Sequence, residues 1–330
     1  MPDKVTVAVD AMGGDNAPDV VLEGVTRALA ADENLSVMLC GPREVCEPFA
    51  AALDRCTAVT ASEVISMGEH PVQAVRRKKD SSITVGCRLV KEGRADGFFS
   101  AGSTGACLAA ATLIVGRAKG IMRPALATVV PSPVRPIILL DVGANADCRP
   151  DYLVQFAQMG TVYAKLILGY DDPRAALLNI GEEETKGSKL ALDAHKLMAK
   201  RLPNFAGNAE GRDVLAATYE VVVTDGFTGN VCLKTIEGAS KVLFGAIKDA
   251  MMSSTVSKIG ALAVKGSLRG LKEQVSPDTY GGAPLLGVKG ACIVGHGSSG
   301  ALAIQNGVLT TAACVRKRVS EIIEQTAAGL

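Results

Sequence analysis

Six times along this chain a short apolar run breaks into a Gly-rich polar loop and then into a helical period. No other feature constrains the fold as much. The runs are Val5 to Val9, Gly97 to Phe99, Ile137 to Leu140, Ala175 to Leu178, Val221 to Val223 and Cys292 to Val294. Val37 to Cys40, before Gly41-Pro42, adds another strand. The runs lack apolar–polar alternation, as strands covered on both faces do. They predict an open parallel sheet with helices on both sides, in one large unit or two small ones. In such sheets the loops leaving the strands' carboxyl ends share a crevice. The polar residues that follow these runs lie on those loops, and the topology brings several of them together.

Composition removes several classes of function. Hydrophobic residues make up 48% of the 330, ample for a core, so the chain is not disordered. A net charge of +1 gives no field that demands nucleic acid. Aromatics are 4% and Trp is absent, which leaves no platform for stacking bases. Nine cysteines without a C-x-x-C pair read as buried free thiols in a reducing cytoplasm. Met1-Pro2-Asp3-Lys4 leads straight into a strand pattern and does not read as a signal peptide. No uncharged apolar run has spanning length, so the expectation is a cytoplasmic protein able at most to lie on a membrane surface.

The loops carry the chemistry. Glycine lets backbone N–H groups approach a ligand, and the following helix adds free donors and a partial positive charge. Ser103, Thr104, Thr228, Gly229 and Asn230 are therefore candidates for holding phosphate or an oxyanion. Gly295-His296-Gly297-Ser298-Ser299-Gly300 has the G-x-G-x-x-G spacing, but too little chain follows for the strand that would carry a ribose-binding acid. No P-loop signature occurs. Of three histidines, His195 falls in a helical run and is expected at the surface, His70 precedes Pro71 in a turn, and His296 lies on a crevice loop. Asp10, Asp141 and Asp225 each follow a strand directly. Such acids cap helices or fix loops; together they could also orient Lys186 or a substrate, or admit Mg²⁺. No His/Cys/carboxylate set has metal-ligand spacing, so neither metal nor cofactor is expected.

Two stretches point to partners. Arg76-Arg77-Lys78-Lys79 is either a solvated face or a docking site for an acidic protein. Ser253 to Lys272 contains no acid; Lys258, Lys265, Arg269 and Lys272 fall on one helical side, with Val256, Ile259, Val264, Leu268 and Leu271 spread over the other. A membrane-surface element and a dimer-packing helix pair both fit it, although Gly260, Gly266 and Gly270 weaken a continuous helix.

Taken in order, the loops resemble the bacterial phosphate acyltransferase family of phospholipid synthesis (PlsX type). The strings are Val9 to Asp15, Val75 to Ser82, Ser100 to Ala106, Leu140 to Asn145, Thr224 to Asn230, Lys234 to Gly238, Tyr280 to Ala283 and Gly295 to Ser299. Ser103 stands where the family usually has Asn. The resemblance implies a three-layer α/β/α sandwich on a mostly parallel sheet, akin to phosphotransacetylases and the isocitrate/isopropylmalate dehydrogenase group. It implies a single α/β domain over residues 1–330, with a helical arm over 238–280 for dimerisation and membrane contact. It also implies the reaction of a fatty acyl-acyl carrier protein with inorganic phosphate, giving acyl phosphate and free carrier, with a glycerol-3-phosphate acyltransferase downstream.

Phosphate is the nucleophile in that reaction, so no Ser or Cys nucleophile is needed. Lys186, Asn230 and His296 are the expected catalytic residues. Asp10, Gly13, Gly14, Asn16, Ser103, Thr104, Asp141, Asn145, Asn179, Asp225, Thr228 and Gly229 are the expected substrate- or phosphate-binding residues. Arg76, Arg77, Lys78 and Lys79 are the expected docking cations. The rival readings are a phosphotransacetylase acting on acyl-CoA, a nicotinamide-dependent dehydrogenase, and a non-catalytic membrane scaffold for lipid enzymes.

Overall fold

The computed structural model describes residues 4–274 and 276–327, with the side chains at 263, 265, 267–269, 271–274 and 277 left outside that description. Among the described residues eleven strands form one sheet: β1 Val5–Asp10, β2 Leu35–Gly41, β3 Cys56–Thr60, β4 Gly97–Ser100, β5 Ala125–Val130, β6 Ile137–Leu140, β7 Ala175–Leu178, β8 Phe205–Ala209, β9 Val221–Val223, β10 Ala283–Leu286 and β11 Ala291–Val294. Their order is β3-β2-β1-β4-β11-β10-β5-β6-β9-β7-β8.

Most neighbours are parallel, but the single parallel run predicted from the sequence divides in two. One block is β3-β2-β1-β4-β11 and the other β6-β9-β7-β8, each parallel within itself. β10 and β5 join the blocks through antiparallel pairings, so the blocks point in opposite directions. The register shows what this does. β5 pairs Ala125 and Leu126 with β10 and its remaining four residues with β6. The blocks are therefore offset along the strand direction. Val294, which ends β11, pairs with Ala283, and Leu140, which ends β6, pairs with Ala127. The carboxyl ends of the two blocks thus meet at nearly the same level and face each other across a cleft.

Both faces of the sheet are covered. Val7 and Val9 pack into one core and Ala8 into the other; Ile138 and Leu140 divide from Ile137 and Leu139 in the same way. All four residues of β6 are completely buried, each worth ~1.5–3 kcal/mol by removal from water. Helices Asp19–Ala31 and Ala301–Arg316 cover the first face of one block. Helices Ser82–Lys91 and Thr104–Ala110 cover its second face. Thr104–Ala110 widens into a π turn at Ala111–Val115.

The long helix Gly226–Met252 begins at the cleft and buries only Gly226 and Gly229. Thr255–Gln274 returns against it, forming an αα hairpin, and it is continuous through Gly260, Gly266 and Gly270. Lys258, Val256, Ile259 and Val264 are exposed on it. The side chains of Lys265, Leu268, Arg269, Leu271 and Lys272 lie outside the described residues. Among the described residues no helix is long and apolar enough to cross a membrane. His195, expected at the surface, is buried. It packs edge-on to Phe205 and its Nδ1 is 2.9 Å from the Asn208 amide oxygen, because β8 closes over that helix face.

Candidate active site at the facing strand ends

Three aspartates that end or follow strands shape the loops here. Asp10 accepts from the Met12 N–H at 3.0 Å and the Ser100 hydroxyl at 2.7 Å, and Ser100 Oγ accepts from the Gly102 N–H. The β1 and β4 loops are thereby tied together. Burial pushes the Asp10 carboxyl above its usual range, against the pull of these hydrogen bonds. Asp141 is fully buried. It accepts from the N–H groups of Leu126, Gly143, Ala144 and Asn145 and from the Asn145 side-chain amide, at 2.8–3.2 Å. Burial raises its pKa as well. Asp225 caps the long helix, accepting from the Thr228 N–H at 2.9 Å and the Thr228 hydroxyl at 2.8 Å.

The loop-fixing reading of these acids accounts for every contact they make, and no group of three His, Cys, Asp or Glu side chains among the described residues is placed to hold a metal. Their partners are committed too. The Asn145 side chain donates to Asp141 and to the Pro124 carbonyl, and Ser103 Oγ accepts from the Ala106 N–H as the cap of the helix Thr104–Ala110. That capping task suits a hydroxyl, which explains how Ser is accommodated at this position.

A cleft of about 590 Å³ opens between the blocks. One wall is Gly102, Thr104 and Leu108 after β4, with Gly295 to Ser299 after β11. The other is Val142 and Gly143 after β6, with Asn230, Leu233, Lys234 and Glu237 on the long helix. Leu126 and Val129 of β5 also line it. The β1 loop adjoins it through the Asp15 N–H, which donates to the Gly297 carbonyl at 2.7 Å. Cleft-side polar groups thus stand beside an apolar strip. His296 Nδ1 lies 2.8 Å from Ser298 Oγ and accepts from the Ser298 N–H at 3.3 Å, which leaves the proton of the neutral ring on Nε2.

Of the residues singled out in the sequence, Thr104, Asn230 and His296 are on the cleft wall. Gly13, Gly14, Asp10, Ser103, Asp141 and Asn145 are on the loops beside it, and Asp225, Thr228 and Gly229 cap and begin the long helix. Asn16 is exposed and off the wall. Lys186 and Asn179 are on the β7 loop, whose ends are tied by the Asn179 side-chain amide donating to the Lys186 carbonyl at 3.0 Å. Neither is among the lining residues; Lys186 is exposed at the same edge of the sheet. Lys78 is turned inward, donating at 2.7 Å to both Glu69 and the Val64 carbonyl, while Arg76, Arg77 and Lys79 are exposed.

Thr224 to Asn230 is not simply a loop. The helix starts at Gly226, so Thr228, Gly229 and Asn230 are in its opening turns. The next turn carries the residue the sequence reading missed. Among the described residues Lys234 is the one lysine or arginine on the cleft wall, paired with Glu237 at 2.7 Å. Its spacing of four from Asn230 on a helix was the available signal. No cysteine is among the described residues lining this cleft, and burial pushes the thiols of Cys107 and Cys148 up to about 12 and raises that of Cys232.

The family described as fatty acid synthesis protein matches residues 5–322. The chain is 47% identical over 322 residues to a phosphate acyltransferase of Desulfitobacterium hafniense strain Y51, covering 97% of this chain and 96% of that one. It is 46% identical over 328 residues to a phosphate acyltransferase of Heliobacterium modesticaldum, covering 98% of each. Among solved structures it is similar to a phosphotransacetylase from Streptococcus pyogenes, with TM-score 0.62, 18% identity and coverage of 96% and 95%. A branched-chain phosphotransacylase from Enterococcus faecalis superposes with TM-score 0.58, 14% identity and coverage of 94% and 99%. At these identities the structural likeness is one of fold.

Proposed function

Because this chain belongs to the fatty acid synthesis protein family and is a phosphate acyltransferase of fatty acid and phospholipid synthesis, we propose that it takes a fatty acyl group from acyl carrier protein onto inorganic phosphate within this cleft. The observation that carries the reading is the juxtaposition of polar donors with an apolar strip where two sets of strand ends face each other. Phosphate needs the donors, and a fatty acyl chain needs the strip.

In this reading a phosphate oxygen attacks the thioester carbon. A carbon–oxygen bond forms as the carbon–sulfur bond breaks, and the leaving sulfur takes a proton. The charge that gathers on the carbonyl oxygen calls for donors already in place. The Asn230 amide, the Thr104 hydroxyl and His296 Nε2–H have the chemistry for that task. Lys234, one helical turn from Asn230, supplies the cation for phosphate, and Glu237 holds its ammonium in position. Lys186, exposed on the β7 loop at the same edge of the sheet, is the second cation of this reading. That no cysteine lines the cleft among the described residues supports direct attack by phosphate over a thioester on the enzyme.

The arm belongs to the same reading as the contact of a homodimer and of a membrane surface, so that acyl phosphate leaves beside a membrane glycerol-3-phosphate acyltransferase. A cytoplasmic protein peripherally bound to lipid would work this way. At the level of fold, kinship with isocitrate and isopropylmalate dehydrogenases remains part of the proposal.

The test is single-turnover conversion of palmitoyl-carrier protein with and without phosphate. Wild type should release free carrier thiol only with phosphate. Lys234→Ala should lower kcat/KM for phosphate at least about tenfold, the loss of one charge-assisted contact. Lys186→Ala, assayed beside it, reports whether both cations act. Release without phosphate would indicate a thioesterase and overturn the reading.

A further inference from the structure

A second depression, of about 640 Å³, lies among the helices that cover the second face of the β3-β2-β1-β4-β11 block. We propose that it is the docking groove for an acidic protein that delivers its thioester to the cleft on an extended pantetheine arm; the inference rests on the carrier-protein reading above.

The groove is built from three elements. Arg76 comes from helix Pro71–Arg77 and Lys79 from the turn after it. Arg88 and Lys91, three apart on helix Ser82–Lys91, stand on a shared face. Leu113 and Ile114 of the π turn Ala111–Val115 provide an apolar side, and Leu113 is 50% exposed. The sequence singles out Arg76 to Lys79 as a block. The fold redistributes it: Lys78 is spent on Glu69 and Val64, and Arg88 and Lys91, remote from any cationic run, take its place. Arg88 Nη2 donates to the Lys79 carbonyl, which fixes the turn against the helix. Four cations then face a depression with one carboxylate, Glu92, on its rim.

The shape and charge select the partner. A concave site with an apolar side suits a convex acidic helix better than a flat lipid surface. Its lining has no aromatic residue on which a base could stack. The link to the cleft is a single rod. Helix Thr104–Ala110 continues into Ala111–Val115; Thr104, Gly105 and Leu108 line the cleft at one end, and Leu113 and Ile114 line the groove at the other. From Leu113 to Thr104 is nine residues, or ~14 Å at ~1.5 Å per residue. A phosphopantetheine arm has about thirteen bonds from phosphorus to sulfur, a little over four peptide units, or ~15 Å extended. A carrier seated in the groove therefore reaches the Thr104 end of the cleft with its arm drawn out. Helix Pro71–Arg77 runs beside this path, since Pro71 abuts Gly105.

The experiment compares two donors with the same acyl group, palmitoyl-carrier protein and palmitoyl-pantetheine, for wild type, Arg88→Glu/Lys91→Glu and Lys91→Glu alone. Lys91 takes no part in the Lys79 contact, so the single variant guards against a local folding defect. The double variant should raise KM for the carrier substrate roughly tenfold, as removal of rim charges slows electrostatically steered encounter. Its kcat and its turnover of the pantetheine substrate should equal wild type, and raising salt should narrow the difference between wild type and variant. A carrier bearing a reversed acid should recover affinity for the double variant. An unchanged KM for the carrier, an equal loss on both donors, or a loss confined to sedimentation with anionic vesicles would overturn the groove. If wild type turns over the pantetheine substrate but not the carrier, the carrier-protein reading itself fails, a result separable from the others.

Discussion

A Cβ on Gly229 would stand 1.9 Å from the Asp141 carbonyl oxygen, a position no side chain can occupy without moving the backbone. This close approach joins the β6 loop to the start of the long helix, and Asn230 and Lys234 follow directly from it. Overpacking of this kind costs ~1–3 kcal/mol. Gly229→Ala should lower the melting temperature by several degrees and reduce kcat more than about tenfold, because the displaced helix carries the cleft's donors with it. Gly238→Ala is the control: nothing lies within 4 Å of its Cβ, and Ala favours a helix by up to ~1 kcal/mol. Thermal melts and steady-state turnover of both variants check this; wild-type behaviour in Gly229→Ala would contradict it. At this scale the sequence was most legible where a residue has one common task. Asp10, Asp141 and Asp225 read singly as loop-fixing or capping acids and together as substrate-binding ones; their hydrogen bonds are those of the first task. His195 was misjudged because helical periodicity says which residues share a face but not which face a distant strand will cover. Lys234, inside a matched string but not singled out, was missed because its spacing of four from Asn230 has meaning only once both are known to share a helix.

The elements were legible where strand, loop and helix follow in order, and hidden where they do not. β5 and β10 left no such trace. β10 is only four residues and contains Pro284, which has no N–H to give a ladder. β5 and β6 pair as antiparallel neighbours across residues 131–136, a hairpin rather than a helical crossover. The resemblance implies an arm over 238–280, and the acid-free run Ser253 to Lys272 reads as a surface or packing helix; the long helix starts at Gly226, twelve residues before 238, which brings the cleft wall and the projecting hairpin onto one rod. Val256 at 81% and Leu262 at 71% exposure, with Ile259 between them, form an apolar stripe at helical spacing. Each such side chain gains ~1.5–3 kcal/mol when covered, which supports a partner copy or an acyl-chain surface as the cover. Replacing all three with Ser should weaken self-association and co-sedimentation with anionic vesicles together, while turnover of a water-soluble thioester stays near wild type. Analytical ultracentrifugation and vesicle pelleting distinguish the two contacts. Unchanged behaviour in both would leave the stripe without the proposed role.

At the scale of the whole molecule, the reversal between the blocks turns a sheet into an enzyme. Had the strands all pointed one way, the loops after β6 and those after β11 would have opened along one edge, side by side. Offset and opposed, they face each other, and a ligand between them touches both blocks. Sequence patterning reaches the loops' composition but not this reversal, because strand direction is decided by pairing between segments more than a hundred residues apart, as in β10 with β5. The reversal has a measurable consequence. A ligand bound at Thr104 and His296 on one side and Asn230 and Lys234 on the other cross-links the blocks, so phosphate should stabilise the molecule as one unit. At about a hundred times its Kd it should add ~2.7 kcal/mol, seen as a single calorimetric transition moving to higher temperature. Lys234→Ala should lose most of that shift at the same phosphate concentration while melting near wild type without phosphate, since this exposed lysine contributes little to folding. Two transitions, with phosphate raising only one, would mean that the ligand sits on one block alone and that the facing strand ends are not its site.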